Sequence, residues 1–404
     1  MNPSSLNRSP RVAIACGGSG GHLFPGIAVG EVLVQKGCRV ILYVSSKEID
    51  QQGLKDAGGM DVEILPAIGL TRRSIGRFAS RSFESFRLSI QSLRKWDPDV
   101  ILGMGGFTCA PPVLAGKILG KTTLIHEANS IPGKAVRFLA PWVDEVMVGF
   151  ANASGRIASN ALSRTGMPVR SQFSPASQDS CRAVLGLRPS DPLVLVMGGS
   201  QGAHSINALF LGILPELYRN NPALQCLHLT GFEDFERVRA VYRKMDLHAV
   251  VRPFLTEMEY ALGAADFAIS RSGASSMAEI AAMKLPSILI PYPHAAQNHQ
   301  YHNARVFAEK GAACLFDSGC QGPSDLSNLI SRFLENPSTL ERMRNCLMNE
   351  DDIPASENVA GIVMSHLRRF GSQRRGDPGH GMRREFSRSK FFTDGVYTKL
   401  STVS

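Results

Sequence analysis

The chain has 404 residues, 44% of them hydrophobic, which is enough to bury the cores of two or three domains. None of its apolar runs approaches the ~18 residues that span a bilayer. The N-terminal stretch before the first glycines lacks the apolar segment of a secretory signal. Its eight cysteines form no Cys-x-x-Cys pair, so neither a disulfide framework nor a zinc site is expected. We therefore expect a cytoplasmic enzyme.

The net charge of +9 is concentrated in two segments. Residues 72–95 contain seven Lys or Arg against one acid, and residues 368–404 contain nine against three. Because the rest of the chain is not basic, the charge argues against a nucleic-acid-binding protein and for local attraction to an anionic membrane surface. Residues 1–10 are predicted to be a flexible N-terminus, and residues 368–404 a basic disordered tail.

Apolar strand-like segments alternate with helix-length segments in two series, as in parallel α/β sheets. A linker rich in Ser, Pro and Gln (163–180) separates the series and predicts one Rossmann-like domain at 11–168 and another at 169–367. The predicted strands are 11–15, 39–44, 99–104, 122–127 and 144–149 in the first domain, and 193–198, 224–231, 248–254, 265–270 and 286–291 in the second.

Each series begins with a strand that runs into a glycine-rich loop, GGSGGH (17–22) and GGSQGAH (198–204). Such loops expose backbone N–H groups and precede a helix N-terminus, so both are suited to phosphate, although ordinary tight turns have the same composition. Leu23 occupies the third glycine position of a dinucleotide fingerprint, and no Walker A sequence occurs. Ligands are expected in a cleft between the two domains.

Asp97 and Asp99 form an Asp-x-Asp pair, which in many glycosyltransferases holds a metal ion. They precede a predicted strand and so lie at the wrong edge of the sheet for the cleft. We expect neither a metal site nor a cofactor.

Seven motifs, in this order and at these separations, resemble the MurG glycosyltransferases of family 28: GGSGGHLFPG (17–26), GGF (105–107), HEANSIPG (126–133), GMPVR (166–170), GGSQGA (198–203), RSGASSMAE (271–279) and HQYHNA (299–304). The resemblance covers about residues 11–365 and implies the GT-B fold, with two Rossmann-like domains facing across a cleft. It also implies inverting transfer of N-acetylglucosamine from UDP-N-acetylglucosamine to muramyl-pentapeptide pyrophosphoryl-undecaprenol, a step of peptidoglycan precursor synthesis. The partners are then the sugar nucleotide and this lipid, on the cytoplasmic face of the cell membrane.

The resemblance also implies roles for individual residues. His22 matches the histidine that acts as base or positions the acceptor, and the nearby helix N-terminus favours its neutral form. Gly18, Gly21 and Phe107 are expected around the acceptor pyrophosphate. The residues expected at the donor are Ser19, Gly20, Asn129, Arg170, Ser200, Leu255, Ser276, Glu279 and Gln300, with Phe254 beside Leu255; His299 stands where some relatives have another glutamine.

Two of these assignments have structural alternatives. Glu279 is expected to accept hydrogen bonds from the ribose hydroxyls, but Ser276-x-x-Glu279 also has the spacing of a helix capping box. The helical pattern at 75–93 places Ile75, Ala79, Phe83 and further apolar residues opposite basic ones, which fits either a membrane-docking helix or a helix packed on the sheet.

Three other functions remain open from the residues alone. They are a GT-B transferase with another lipid acceptor, such as diacylglycerol, a dinucleotide-dependent oxidoreductase, and a non-catalytic protein that binds sugar nucleotides. The failed fingerprint disfavours the second. Intact His22 and Glu279 disfavour the third.

Overall fold

The computed structural model describes residues 8–47, 50, 53–54, 57–66, 75–159, 161–199, 202–348 and 354–376. Residues 1–367 form one compact unit and residues 368–404 a second. The first unit contains two parallel sheets, so the predicted α/β architecture is confirmed.

The first domain contains the elements β1 (Arg11–Ala15), α1 (Gly20–Gln35), β2 (Arg39–Ser45), β3 (Asp61–Leu65), α2 (Ile75–Trp96), β4 (Val100–Gly103), α3 (Ala110–Ile118), β5 (Thr122–Glu127), α4 (Lys134–Leu139), β6 (Glu145–Val148), a 3-10 turn (Ala151–Arg156) and β7 (Leu162–Arg164). Its strands form the first sheet in the order β3-β2-β1-β4-β5-β6-β7, and all neighbouring strands are parallel. The central strands β1, β2 and β4 are nearly continuous apolar runs, as expected where helices cover both faces of a sheet.

The second domain contains the elements α5 (Gln178–Leu185), β8 (Leu193–Met197), α6 (His204–Asn220), β9 (Gln225–Leu229), α7 (Phe235–Lys244), β10 (Ala249–Arg252), α8 (Met258–Ala264), β11 (Phe267–Ser270), α9 (Ala274–Ala282), β12 (Ser287–Leu289), a 3-10 turn (Ala296–Asn298), α10 (His299–Glu309), β13 (Ala313–Leu315), α11 (Pro323–Glu335) and α12 (Pro337–Met348). Its strands form the second sheet in the order β10-β9-β8-β11-β12-β13, again with parallel neighbours.

The last helix, α13 (Ala355–Gly376), returns to the first domain. Val359, Ala360 and Val363 are buried in the same apolar cluster as β1 and β2. The helix continues past residue 367, where the sequence predicted a disordered tail. Residues 377–404 of that predicted tail lie outside the described residues, as do residues 1–7 of the predicted flexible N-terminus.

An apolar cluster joins the two domains. Ala128 and Phe150 of the first domain pack with Met277, Ala304 and Phe307 of the second. The rings of Phe150 and Phe307 meet edge to face at 6.5 Å between centroids. Ser275, which follows β11, also contacts Gly21, which follows β1, so the carboxyl edges of both sheets face one cleft.

Asp97 and Asp99 precede β4, at the edge of the sheet away from the cleft, as the sequence predicted. Arg8 pairs with both carboxylates, at 3.1 and 2.8 Å, and Lys121 pairs with Asp97 at 2.5 Å. Arg8 is therefore anchored, although it falls in the predicted flexible segment.

Within the described part of the chain, no helix combines the length and apolar character that a membrane crossing needs.

Candidate active site

The first glycine loop joins β1 to α1 at the carboxyl edge of the first sheet. A Cβ at Gly17 would overlap the backbone of β2, so only glycine allows this close approach. Ser19 is the N-cap of α1. Gly20 and Gly21 form the first turn, where N–H groups have no intrahelical acceptor, so this end of the helix is suited to an anion.

The backbone N–H and carbonyl of Gly18, which is predicted to lie around the acceptor pyrophosphate, are both hydrogen-bonded within the protein. Its N–H donates to the buried Asp50 carboxylate at 2.8 Å, and its carbonyl accepts from Lys47 Nζ at 2.8 Å. Both backbone groups are thus used within the protein, which leaves the N–H groups of Gly20 and Gly21 as the candidates for a bound phosphate. Gly18 shapes the loop rather than offering an amide.

His22 is partly buried on the first turn of α1, with a defined tautomer. Its Nδ1 lies 2.8 Å from the Met104 carbonyl oxygen, and because a carbonyl only accepts, Nδ1 carries the proton. The neutral ring then has its lone pair on Nε2. Burial lowers the pKa of His22 from its ordinary value, and the Met104 bond and Asp50 oppose that shift only in part.

The GGF turn supports both the loop and the histidine. At Gly106, which has φ +72°, a Cβ would lie 2.9 Å from His22 Nε2. Thr108 Oγ1 donates to the carbonyl of Gly17. The predicted acceptor residue Phe107 is partly exposed, and Lys47 Nζ lies 5.3 Å from its ring centroid.

The N-terminus of α9, from the second domain, meets the N-terminus of α1. Ser275 Oγ donates to the carbonyl of Gly21 at 3.1 Å. In a regular helix that carbonyl would accept from residue 25, but Pro25 has no N–H. The proline therefore leaves an acceptor that the opposite domain uses, and two helix N-termini converge on the cleft.

The capping-box interpretation of Glu279 is wrong. The N-cap of α9 is Gly273, in an extended conformation, and Ser276 is the third helical residue. Serine at that position cannot cap the helix, and Glu279 lies too far along it to reach back to Gly273. Ser276 stays a predicted donor contact on this first turn.

Glu279 faces Arg170 at the base of the cleft. The carboxylate and guanidinium are 3.9 Å apart, with side chains 14% and 4% exposed. The guanidinium lies 4.4 Å from the ring centroid of Phe24, on α1, and 5.1 Å from that of Phe173. Burial raises the pKa of Glu279 to about 7, and Arg170 only partly offsets this shift.

Asn129 follows β5 and is held by a neighbouring carboxylate. Glu127 Oε1 accepts from the Asn129 backbone N–H at 2.8 Å and from its Nδ2 at 3.3 Å. Glu127 Oε2 accepts from the Gly133 N–H at 2.7 Å. Asn303 of α10 donates to Asn129 Oδ1 at 3.1 Å, so the predicted sugar-reading amide contacts both domains.

Gln300 and His299 begin α10 on the opposite wall. The side-chain Oε1 of Gln300 accepts from the Tyr292 N–H at 2.9 Å. The backbone carbonyl of Gln300 accepts from Ser272 Oγ at 2.8 Å. His299 Nδ1 donates to the Ala296 carbonyl at 2.8 Å. His299 is near enough to His22 to contribute to lowering its pKa.

Ser200 and Leu255 are the two other predicted donor residues. Ser200 lies outside the described residues. Leu255 and Phe254 are half-buried after β10. Leu255 packs against the second domain's core and lines an open cavity of about 420 Å³ with Val184 and Tyr260.

Asp50 and Asn303 were missed by sequence reasoning. Each acts on residues that are distant in the chain: Asp50 on Gly18, and Asn303 on Asn129. Asn303 does lie in the quoted motif HQYHNA, whereas Asp50 lies outside every motif. Only the folded arrangement shows either contact.

Two family models match the chain. The glycosyltransferase family 28 N-terminal domain matches residues 12–148, and the family 28 C-terminal domain matches residues 193–357. A protein of Syntrophus aciditrophicus, described as UDP-N-acetylglucosamine--N-acetylmuramyl-(pentapeptide) pyrophosphoryl-undecaprenol N-acetylglucosamine transferase, is 35% identical, over 89% of this chain and 99% of its own length. A Listeria monocytogenes protein of the same description is 33% identical, over 89% of this chain and all of its own.

Solved structures share the fold. The crystal structure of Acinetobacter baumannii MurG is 24% identical, with a TM-score of 0.68, and covers 89% of this chain and 100% of its own. Staphylococcus aureus MnaA, solved with UDP, has a TM-score of 0.65 at 12% identity and covers 89% of this chain and 97% of its own. The expected GT-B fold is thereby confirmed. The two domain matches and the full-length relatives show that the chain belongs to glycosyltransferase family 28, in its MurG family of N-acetylglucosamine transferases.

Proposed function

We propose that the protein transfers N-acetylglucosamine from UDP-N-acetylglucosamine to muramyl-pentapeptide pyrophosphoryl-undecaprenol, with inversion at the anomeric carbon. The relatives with this printed activity match over nearly their whole length. In the cleft, His22, Glu279 and Arg170 come from both domains, which suits a reaction between two substrates.

The proposed base is His22. Its Nε2 lone pair takes the proton of the acceptor hydroxyl while that oxygen bonds to the anomeric carbon. The bond from that carbon to the diphosphate oxygen breaks in the same step, and UDP leaves with the electron pair. The lowered pKa of His22 keeps the ring neutral and able to accept a proton near pH 7.

The charge of departing UDP is stabilised by groups already fixed in the cleft. The first turns of α1 and α9 direct their positive ends to one place, where Ser275 meets Gly21. Arg170 supplies a guanidinium 3.9 Å from Glu279. The carboxylate of Glu279 has two acceptor oxygens, which matches the two ribose hydroxyls. Ser276, Gln300 and Asn129 complete the donor contacts, with Ser19 and Gly20 at the donor phosphates and Gly21 toward the acceptor pyrophosphate.

The single observation that carries the proposal is the tautomer of His22, which leaves Nε2 as a base at a helix end suited to phosphate. The test is transfer of labelled N-acetylglucosamine to a defined muramyl-peptide lipid, with diacylglycerol as a second acceptor. We expect the wild type to transfer N-acetylglucosamine to the muramyl-peptide lipid. We expect His22→Ala to lose this transfer. Product with diacylglycerol alone would contradict the proposed acceptor.

We also propose that helices α2, α3 and α4 dock the protein on an anionic membrane. Large apolar side chains are exposed on these helices and just after α4: Phe83 (69%), Ile118 (69%), Phe138 (61%) and Trp142 (57%). The same helices carry exposed basic residues, such as Arg87 on α2 and Arg137 on α4. Exposed apolar side chains together with basic ones fit a lipid surface with anionic headgroups.

A further inference from the structure

We propose that Asn303 is a positioning residue that fixes the orientation of the Asn129 amide across the cleft. Asn303 is 0% exposed on α10 of the second domain. Its Oδ1 accepts from the Ser130 N–H at 2.9 Å. Its Nδ2 donates to Asn129 Oδ1 at 3.1 Å and to the Ser272 carbonyl at 3.3 Å. One side chain therefore joins the segment after β5 to the segment before α9.

The two partners of Asn129 determine which way its amide points. Asn303 presents an N–H donor to Oδ1, and Glu127 presents a carboxylate acceptor to Nδ2. A flipped amide would place two donors together on one side and two acceptors together on the other. Each of the two atoms still has one hydrogen-bonding position for a ligand: the second hydrogen of Nδ2 and the second lone pair of Oδ1.

The orientation depends on contact between the domains, because Glu127 belongs to the first and Asn303 to the second. If the cleft opens, Asn129 Oδ1 and the Ser130 N–H both lose their partner. The Asn129 amide is then held by Glu127 alone. Closure of the cleft thus completes an oriented donor and acceptor pair for the sugar, an inference that rests on the proposed donor.

The test compares the sugar specificity of the wild type, Asn303→Ala, Asn129→Ala and the double variant. The readout is the ratio of kcat/KM for UDP-N-acetylglucosamine to kcat/KM for UDP-N-acetylgalactosamine. This ratio is independent of the concentration of folded enzyme, so partial unfolding cannot change it. UDP affinity, measured by calorimetry, serves as the control because UDP lacks the N-acetylglucosamine group that Asn129 is proposed to contact.

We expect Asn303→Ala to lower the specificity ratio about ten-fold, the effect of one misplaced hydrogen-bonding group, with UDP affinity within about two-fold of wild type. The double variant should be no worse than Asn129→Ala, because Asn303 acts through Asn129. An unchanged ratio in Asn303→Ala, or losses that multiply in the double variant, would overturn the inference. Failure of the wild type to transfer N-acetylglucosamine would instead overturn the proposed function.

Discussion

Burial of the Glu279 carboxyl destabilises the folded chain by an amount that depends on pH. Its pKa is raised from 4.5 to about 7, mainly by burial. Between these values the folded chain binds more protons than the unfolded chain, so stability falls as pH rises through this window. Above pH 7 the ionised group destabilises the fold by up to about 3 kcal/mol. A carboxylate kept under such conditions suggests a ligand contact.

Glu279→Gln is therefore expected to raise the melting temperature at pH 8 and to have little effect near pH 4.5. It should also lower kcat/KM for the donor about ten- to a hundred-fold, because the ribose loses a charged acceptor. Scanning calorimetry and donor kinetics measure the two effects. Glu309→Gln, at an exposed ion pair with Arg305, is the control and should change neither. Normal donor kinetics in a stabilised Glu279→Gln variant would rule out the ribose contact.

The same carboxyl should shape the pH profile. Donor kcat/KM is expected to fall below about pH 7 in the wild type as Glu279 takes up a proton. In Glu279→Gln that step should disappear, leaving only the protonation of His22, whose pKa is lowered from 6.5. Kinetics from pH 5 to 9 test this. An unchanged acid limb in the variant would show that another group controls it.

Gly106 offers a test of His22 that separates crowding from backbone strain. Alanine at Gly106 (φ +72°) would place its Cβ 2.9 Å from His22 Nε2, whereas alanine at Gly120 (φ +69°) meets no atom within 4 Å. Both variants carry the strain of a positive φ, about 1 kcal/mol. We expect similar melting temperatures, but kcat reduced about a hundred-fold only in Gly106→Ala. Equal activity in the two variants would contradict a role for the His22 ring position.

At the scale of elements, α2 has the features of both helices that its sequence allowed, one packed on the sheet and one that docks on a membrane. Leu93 is buried, and Phe86 and Ile90 pack partly against the first domain's core, as in a helix packed on a sheet. Phe83 projects 69% exposed, as a docking helix requires. The side chains of Ile75 and Arg77 lie outside the described residues.

The docking proposal predicts that Phe83→Ser with Trp142→Ser will weaken co-sedimentation with vesicles containing anionic lipid. Burial of two aromatic side chains in the membrane is then lost. Phe232→Ser, an aromatic residue 66% exposed in the second domain, is the matched control. Binding of the double variant equal to that of the control would exclude this surface.

At the scale of the whole molecule, the part of α13 before residue 368 packs on the first domain. Its His366 donates to Glu145 at 2.8 Å, and Val359 and Val363 are buried. Truncation after Phe370 keeps these contacts, so activity on a detergent-solubilised lipid acceptor should stay within about two-fold of wild type. A large loss of activity, measured in the transfer assay, would mean that residues beyond 370 support the fold or the site.

The sequence by itself determined the repeated α/β pattern and the positions of most buried strands, because strands covered on both faces must be apolar throughout. It did not predict β3, β7 or β13, which lie toward the outer parts of the sheets and are short or partly exposed. The hydrophobic pattern of the sequence gives no signal for such strands, because they become strands through pairing with a neighbouring strand and not through their own composition.

The glycine loops and most candidate residues were also accessible from the sequence, because the chemistry of a phosphate loop or a base is carried by adjacent residues. Only the tertiary structure decided which atoms can bind a substrate or accept a proton. It committed the Gly18 amide to Asp50, assigned the lone pair of His22 to Nε2, and joined Asn303 to Asn129. These contacts bring together residues far apart in the chain or fix the direction of a hydrogen bond, and neither property is written in local sequence.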